Sequence, residues 1–291
     1  MNLSADQTLK AKFDGQVLKE CMEASLTWLR TNQQTVNALN VFPVPDGDTG
    51  TNMVLTMQAA FDEIQKSREN NVGKMAHAVA HGALMGARGN SGVILSQIWR
   101  GFARSLDNLE TLDGQTLAHA LAQARDTAYK GVVRPVEGTI LTVAKDVAEA
   151  ADLALQDTQD PVEILARVVT AADKSVQNTP NLLPVLKEAG VVDSGGKGLY
   201  FVFEGMLRYF KGLPLDVAIG GVRPLAAMDL ANTMESIEPG QDYEIVIDFR
   251  PHQPLDLETF YTTLLEMGTS IQVGEGEGMY RMHIHVPTEK R

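Results

Sequence analysis

Apolar residues recur at helical spacing through most of the first 212 residues, and no convincing strand alternation appears there. From residue 9 onward, for example, Phe13, Val17 and Cys21 fall on one side of a helix. Glycine-rich turns separate these amphipathic stretches. Such a chain buries its apolar stripes by packing helix against helix, so the sequence predicts a mainly α fold for this part.

The ends of some predicted helices carry clear signals. Asp160 is placed to cap a helix whose first residue is Pro161, and Gly212 ends the last helix of this part. The spacing predicts helices over residues 9–39, 53–64, 75–85, 93–102, 117–129, 139–155, 161–176 and 199–210.

The pattern changes after Gly220 and Gly221, where residues 223–240 read as a connector. Beyond it, the sequence predicts a strand over 243–249, a helix over 255–267, and a hairpin of 271–273 with 279–286. This is a small β-α-β-β unit. We therefore divide the chain into a helical domain (1–215), a linker (216–240) and a small α/β domain (241–291).

Charge and cysteine content narrow the function classes. A formal net charge of -12 repels polyanions and argues against a nucleic-acid binder, although it admits a nucleotide that enters with a metal ion. The single cysteine, Cys21, excludes a disulfide framework within one chain and fits a reducing cytoplasm. We also expect neither secretion nor integral membrane association, because no leader pattern and no run of about 18 apolar residues occurs.

Two prolines and two glycines interrupt the helical pattern over residues 42–52 and predict a structured loop. Asp46 and Asp48 stand on it, so both carboxylates can converge on one or two hard cations, for which Mg²⁺ is the natural candidate. Asn40, just before the loop, offers a further oxygen. The alternative is an Asx-turn in which the aspartates only cap a helix and satisfy loop amides. We favour the metal site.

Three glycine-rich turns, each directly before a predicted helix, are candidates for phosphate binding. They cover residues 86–92, 135–139 and 192–198. Glycines let a backbone approach a ligand closely, and a helix N-terminus adds its dipole. In the first turn Asn90 and Ser91 can donate hydrogen bonds, and Arg88 can supply countercharge. Each turn alone is equally well explained as a helix connector, but together with the aspartates they predict one joint site at one end of a bundle.

His283 and His285 alternate on a predicted strand and therefore share a face of the sheet. Such a pair can form half of a zinc site, which Glu244 or His252 would have to complete. Because a third ligand is not obvious, we prefer a pair of histidines that faces solvent.

Four segments, in this order and spacing, resemble one known family. Residues 40–53 read Asn-Val-Phe-Pro-Val-Pro-Asp-Gly-Asp-Thr-Gly-Thr-Asn-Met, and residues 86–92 read Gly-Ala-Arg-Gly-Asn-Ser-Gly. With residues 135–141 and 193–198 they look like the DhaL/DAK2 family, and the variant they resemble most is the fatty acid kinase A subunit. The resemblance covers about residues 5–215.

The resemblance implies a fold and a set of roles. The family has an eight-helix barrel, an acidic loop that binds two Mg²⁺ ions under ATP, and glycine-rich turns that hold the nucleotide. Carried over, Asp46 and Asp48 would be the catalytic residues and metal ligands, with Asn40 as a third metal ligand. The implied nucleotide contacts are Thr49, Asn52, Met53, Gly89, Asn90, Ser91, Gly92, Gly138, Thr139 and Asp193.

The C-terminal unit resembles the beginning of that family's middle domain, including the strand with His283 and His285. The family tends to have a cysteine in the first strand, where this chain has residues near Glu244. That departure argues against zinc at the two histidines.

The function implied is that of an ATP- and Mg²⁺-dependent kinase subunit, which phosphorylates a fatty acid carboxylate presented by a lipid-binding partner protein. Two alternatives stay open: a dihydroxyacetone (glycerone) kinase subunit, and a non-catalytic regulator that keeps ADP bound. The implied partners are ATP or ADP and the fatty acid carrier protein, and a homodimer is left open.

Overall fold

The computed structural model describes residues 13–217, 243–276 and 278–287. Ten helices occupy the first of these ranges, of which α2 and α9 are short. Their bounds are α1 (Gly15–Thr31), α2 (Gln33–Asn37), α3 (Thr49–Ile64), α4 (Val72–Gly86), α5 (Gly89–Ser105), α6 (Gly114–Lys130), α7 (Ile140–Ala154), α8 (Pro161–Leu182), α9 (Pro184–Ala189) and α10 (Ser194–Lys211).

The eight long helices form a closed ring. Each of α1, α3, α4, α5, α6, α7 and α8 packs against the next long helix, and α10 packs against both α8 and α1. Their apolar faces enclose one core, in which Trp28 meets Phe201 edge to face with ring centroids 6.3 Å apart. The predicted eight-helix barrel is confirmed. Across the three described ranges, no helix combines the length and the apolar character needed to cross a bilayer.

The first predicted helix, over residues 9–39, is wrong in its extent. Residues 9–12 lie outside the described part, and the rest divides into α1 and α2 at Asn32. Asn32 ends α1 with φ -104° and ψ 11°, outside the helical range. Its side-chain amide donates to the Trp28 carbonyl at 2.9 Å, and its backbone N–H donates to the same carbonyl at 3.2 Å.

Helix α8 runs past its predicted end at Val176 and contains Pro180. Proline lacks the N–H that would bond the carbonyl four residues back. That carbonyl belongs to Val176, and the Thr179 hydroxyl donates to it at 2.7 Å instead. The side chain thus replaces the missing backbone donor.

The C-terminal unit is a three-stranded antiparallel sheet with one helix. Its elements are β1 (Tyr243–Phe249), α11 (Leu257–Met267), β2 (Thr269–Gly276) and β3 (Met279–Val286), and the strand order is β1-β3-β2. The β-α-β-β order is as predicted, but β2 begins two residues before the predicted hairpin strand and ends three residues after it. The predicted linker falls almost entirely on residues 218–242, outside the described ranges, so the proposed domain boundaries stay a prediction.

The sheet docks against the helical barrel along β2, which packs on α5 and α4. The Val273 N–H donates to the Gly131 carbonyl at 3.1 Å, and Glu275 pairs with Arg100 of α5. Arg281 of β3 reaches the backbone at the end of α4. The contacts of Val273 and Arg281 set the sheet beside the end of the barrel at which α5 begins, whereas Glu275 contacts the second half of α5.

Candidate functional site

A cavity of about 670 Å³ lies between the barrel end and the sheet. Its helical wall carries the acidic loop and the starts of several helices, and its sheet wall carries residues of all three strands. Of the residues singled out from the sequence, those on the cavity wall are Asn40, Asp46, Asp48, Thr49, Asn52, Gly89, Asn90, Ser91, Thr139, Asp193, Glu244, His283 and His285. The structure therefore brings the separate motifs together on the wall of one cavity.

The acidic loop is held in place by its own hydrogen bonds. The buried Asn40 donates from its side-chain amide to Asp46 Oδ1, and the Asp48 backbone N–H donates to the same oxygen at 3.3 Å. Asn40 thus contacts the loop through its nitrogen, as an orienting donor. The Asp46 carboxylate opens onto the cavity, yet loss of surrounding water and the neighbouring Asp48 raise its pKa to about 6. A bound cation would reverse that shift, because it favours the ionised form.

Four of the long helices begin at the cavity. Thr49 of α3, Gly89 of α5, Ile140 of α7 and Ser194 of α10 are the first residues of their helices, and all four line it. The first N–H groups of a helix have no partner within the helix, and the dipole places partial positive charge there. Four such ends around one space favour a polyanion such as a phosphate chain.

The starts of α3 and α10 are joined directly. The Ser194 hydroxyl donates to Thr49 Oγ1 at 3.1 Å, and both side chains are buried. Asp193 caps α10 by accepting from the Gly196 N–H at 2.6 Å, while its own N–H donates to Thr179 Oγ1 at 2.9 Å. Burial raises the pKa of Asp193 to about 7, against the opposing effect of its backbone donors.

The turn before α5 requires glycine at its first helical residue. Gly89 has φ +56°, and a Cβ at this position would collide with the side-chain amide of Asn52. Asn90 Oδ1 is buried and finds no hydrogen-bond partner among the described residues. The turn therefore brings Asn52 and Asn90 to one place with a free acceptor between the acidic loop and α5.

The turn before α7 is fixed from behind by Glu137. Its carboxylate accepts from Tyr129 at 2.9 Å, from Thr142 at 2.8 Å and from Lys145 at 2.9 Å. Thr139 caps α7 by accepting from the Leu141 N–H at 3.3 Å. This support leaves the cavity side of the turn available to a ligand.

Three expected contacts do not reach the cavity wall. Met53 is fully buried against Gly198, and Gly92 packs on Thr56. Gly138 has φ +85° and donates its N–H to the Thr142 hydroxyl. These three residues pack on the side away from the cavity, and their chain neighbours Asn52, Ser91 and Thr139 line it instead.

The expectation that His283 and His285 face solvent is wrong. They are 0% and 8% exposed, with ring centroids 4.9 Å apart, and both line the cavity. His283 Nδ1 lies 3.1 Å from Glu244 Oε1, and that contact lowers the pKa of Glu244. The alternation on β3 gave the shared face correctly, but it could not show that the barrel end covers that face.

Several wall residues were not expected from the sequence. Gln272 of β2 pairs with His283 across the sheet, is 6% exposed, and has no described hydrogen-bond partner for Oε1. A lone polar residue between Ile271 and Val273 was the one sequence signal for it. Arg134 also lines the cavity, and it is the only lysine or arginine on the wall as described.

The residues fit Mg²⁺ together with a phosphate ligand. Within residues 13–217, 243–276 and 278–287, no three His, Cys, Asp or Glu side chains could hold a metal ion by themselves. Mg²⁺ in phosphate sites, however, commonly takes one or two carboxylates and completes its octahedron with water and phosphate oxygens, and Asp46 and Asp48 supply that pair. The same finding gives no support to zinc at His283 and His285.

The sequence of the chain is similar to one protein family and to several bacterial proteins. The model of the DAK2 domain family matches residues 43–208. The chain is 40% identical over 288 residues to an uncharacterized protein of Staphylococcus saprophyticus, and 39% identical over 294 residues to one of Staphylococcus haemolyticus. Each alignment covers 96% of this chain and 52% of the relative, so the chain spans about half the length of these relatives.

A solved structure is also similar. It is the crystal structure of the dihydroxyacetone kinase of C. freundii in its native form, with a TM-score of 0.48 and 20% sequence identity. The match covers 72% of this chain and 37% of that chain.

Proposed function

Because the chain belongs to the DAK2 domain family, we propose that it is the nucleotide-binding subunit of a kinase and uses Mg²⁺-bound ATP as its phosphoryl donor. The observation that carries the proposal is the convergence of Asp46 and Asp48 with four helix N-termini on one cavity. Carboxylates alone would suit a cation, and helix ends alone would suit an anion. Together they suit a metal-bound phosphate chain.

Each group on the helical wall has a task in this proposal. Asp46 and Asp48 would hold Mg²⁺, which supplies charge neutralisation on the phosphate oxygens during transfer. Asn40 keeps Asp46 oriented through its amide donor. The N–H groups at the starts of α3, α5, α7 and α10 bind phosphate oxygens.

Arg134 provides the permanent positive charge. The described wall carries Asp46, Asp48, Asp193 and Glu244 but one arginine. Because transferred phosphoryl groups carry negative charge on three equatorial oxygens, a positioned arginine stabilises the transfer. We assign Arg134 to that contact.

For the phosphoryl acceptor we propose a fatty acid carboxylate that a lipid-binding partner protein presents at the cavity. Apolar residues such as Val133, Val185 and Leu265 also line the cavity, and they suit a carboxylate with an alkyl chain attached. A second cavity, lined by apolar residues inside the barrel, shares no described lining residue with this site. In this proposal the carrier protein holds the alkyl chain while the carboxylate enters the polar site.

The proposal places the protein in the cytoplasm, in keeping with its single buried cysteine, Cys21. It leaves a homodimer open.

The test offers the chain radiolabelled ATP and Mg²⁺ with one of two acceptors: a fatty acid bound to a lipid-carrier protein, or free dihydroxyacetone. Hydroxylamine converts an acyl phosphate into a hydroxamate, which identifies a carboxylate acceptor. Labelled dihydroxyacetone phosphate would instead establish the glycerone kinase alternative. Mg²⁺-dependent ATP binding without transfer to either acceptor would support the regulator and contradict the proposed activity.

A further inference from the structure

Arg281 of β3 lies at the seam between the sheet and the barrel. It is 7% exposed, and it has no role of its own in the proposed phosphoryl transfer. Its guanidinium has five N–H donors in a fixed fork. The partners of those donors come from two different parts of the molecule.

One edge of the guanidinium caps helix α4. Arg281 Nη1 donates to the carbonyls of Leu84 at 2.8 Å, Met85 at 2.6 Å and Ala87 at 3.3 Å. The last carbonyls of a helix have no partner within the helix, and a cation near them also complements the negative end of the dipole. Arg281 therefore satisfies carbonyl groups at the end of α4, directly before the turn that leads into α5.

The other edge is held by Asp248 of β1. Arg281 Nε and Nη2 each donate to one carboxylate oxygen of Asp248, both at 2.6 Å, and this contact lowers the pKa of Asp248. Such a two-pronged pair fixes the plane of the guanidinium. Asp248 thus aims Arg281 at the backbone of α4.

The residue after Ala87 is Arg88, and the turn that follows carries Gly89, Asn90 and Ser91 of the cavity wall. No side chain caps the start of α5, so the path of this turn depends on what fixes the backbone before it. Arg281 binds that backbone one residue upstream of Arg88.

We propose that Arg281 is a positioning residue for the phosphate-binding turn at residues 88–92, and that the sheet controls nucleotide affinity through it. This inference rests on the proposed function, because the turn is taken to bind the nucleotide. The sheet then does more than close the cavity. It holds the backbone of the opposite wall in the geometry that the phosphates require.

The chain offers a matched control on the same seam. Glu275 of β2 pairs with Arg100 and Arg104, which lie in the second half of α5. Arg100 is roughly 12 Å along the helix from Gly92 at 1.5 Å per residue. Glu275→Gln weakens the docking of the sheet without touching the turn, whereas Arg281→Lys keeps the charge but loses the planar fork.

The experiment measures the affinity of both variants for Mg²⁺-ADP by calorimetry, together with their melting temperatures without ligand. We expect Arg281→Lys to bind about tenfold more weakly, because small displacements of positioning groups have large effects. Glu275→Gln should bind like the wild type. Equal losses in both variants would assign the effect to docking in general, and unchanged binding in Arg281→Lys would overturn the proposal.

A second readout separates this inference from the proposed function. The Ala87 N–H donates to Leu84 and the Gly92 N–H donates to Arg88, so hydrogen exchange at these amides reports on the turn without any nucleotide. Arg281→Lys should accelerate exchange there, and Glu275→Gln should not. If the wild type binds no nucleotide, the proposed function fails, while unaltered exchange in Arg281→Lys shows separately that Arg281 does not hold the turn.

Discussion

The two walls of the cavity are built in opposite ways. On the helical wall most of the polar side chains already have partners: Asn40 donates to Asp46, Ser194 donates to Thr49, and Asp193 accepts from the backbone of α10. Asn90 Oδ1 is the exception on this wall, since it has no hydrogen-bond partner among the described residues. On the sheet wall Gln272 Oε1 and His283 Nε2 are buried without a hydrogen-bond partner in the described part of the chain. Buried polar atoms are rarely left in that state unless something else satisfies them.

The difference indicates two kinds of binding. A wall whose groups are fixed before the ligand arrives suits a ligand that is always the same, as the phosphates of ATP are. A wall whose buried hydrogen-bonding groups lack partners suits a substrate that binds, is phosphorylated and is then released. We therefore propose that the nucleotide binds the helical wall and the acceptor binds the sheet wall, and the following changes should separate the two.

The largest effect is expected from the acidic loop. Asp46→Ala or Asp48→Ala removes a proposed Mg²⁺ ligand and should weaken Mg²⁺-dependent ATP binding by about 100-fold, the upper range for perturbed metal sites. The melting temperature without ligand should change little, because both side chains open onto the cavity. Asp62→Ala is the control, because Asp62 lies at the far end of α3, the helix that follows the acidic loop. A collapse in folding would instead support the helix-capping role.

A smaller effect should follow from Gly89→Ala. At φ +56° an alanine is strained by about 1 kcal/mol, and the added methyl also displaces the Asn52 amide from the wall. Gly190→Ala is a matched control, since Gly190 has φ +66° and open space around it. Both variants should lose similar stability in urea titrations.

Only Gly89→Ala should also weaken ATP binding, by about tenfold for a displaced positioning group. Equal affinities in the two glycine variants would remove Asn52 and its turn from the nucleotide site.

Asp193 should make the stability of the folded chain depend on pH. Its pKa is about 7 in the folded chain against an ordinary 3.8, so the folded state holds the proton more tightly. The stabilisation is present below about pH 4 and is lost as pH rises through 7. Asp193→Asn should therefore match the wild type near pH 4 and become the more stable protein above pH 7, as thermal melts would show.

Asp113 should change the stability with pH in the opposite direction. Hydrogen bonds from Thr116, first from its backbone N–H, hold the pKa of this helix cap below its usual range. Its stabilisation is present at neutral pH and is lost as pH falls through the lowered pKa. Asp113→Asn should thus be less stable than the wild type at pH 7 and equal to it near pH 2. The same trend in both variants would contradict the assigned environments.

The smallest effect on the unliganded protein is expected from the sheet wall. Gln272→Leu removes an acceptor that has no described partner, so stability should stay the same or rise by about 1 kcal/mol. ATP affinity should also stay the same, while transfer to the acceptor should fall. A clear loss of ATP affinity would show that the two walls serve the same ligand.

Much of the helical domain follows from the spacing of apolar residues, because each long helix buries one continuous stripe in the ring. The ends of helices were harder to predict. Helix α5 was expected to begin at Val93, but Gly89 is already helical. The continuation through Pro180 depends on a side-chain hydrogen bond that periodicity does not contain, and the apolar spacing does not reveal the break at Asn32 either.

The site was predicted unevenly for a related reason. Local motifs identified Asp46, Asp48 and the glycine turns, since their chemistry is carried by neighbouring residues in the chain. Arg134 and Gln272 gave little signal, because each acquires its place through long-range packing of the sheet on the barrel. His283 was assigned to solvent for the same reason.

The most direct test of the account is calorimetric titration of ATP into the purified chain, first with Mg²⁺ and then with EDTA. We expect one nucleotide to bind per chain with Mg²⁺ and binding to be lost in EDTA, because the phosphates reach Asp46 and Asp48 only through the metal. Binding that is equally tight in EDTA, or no binding under either condition, would contradict it.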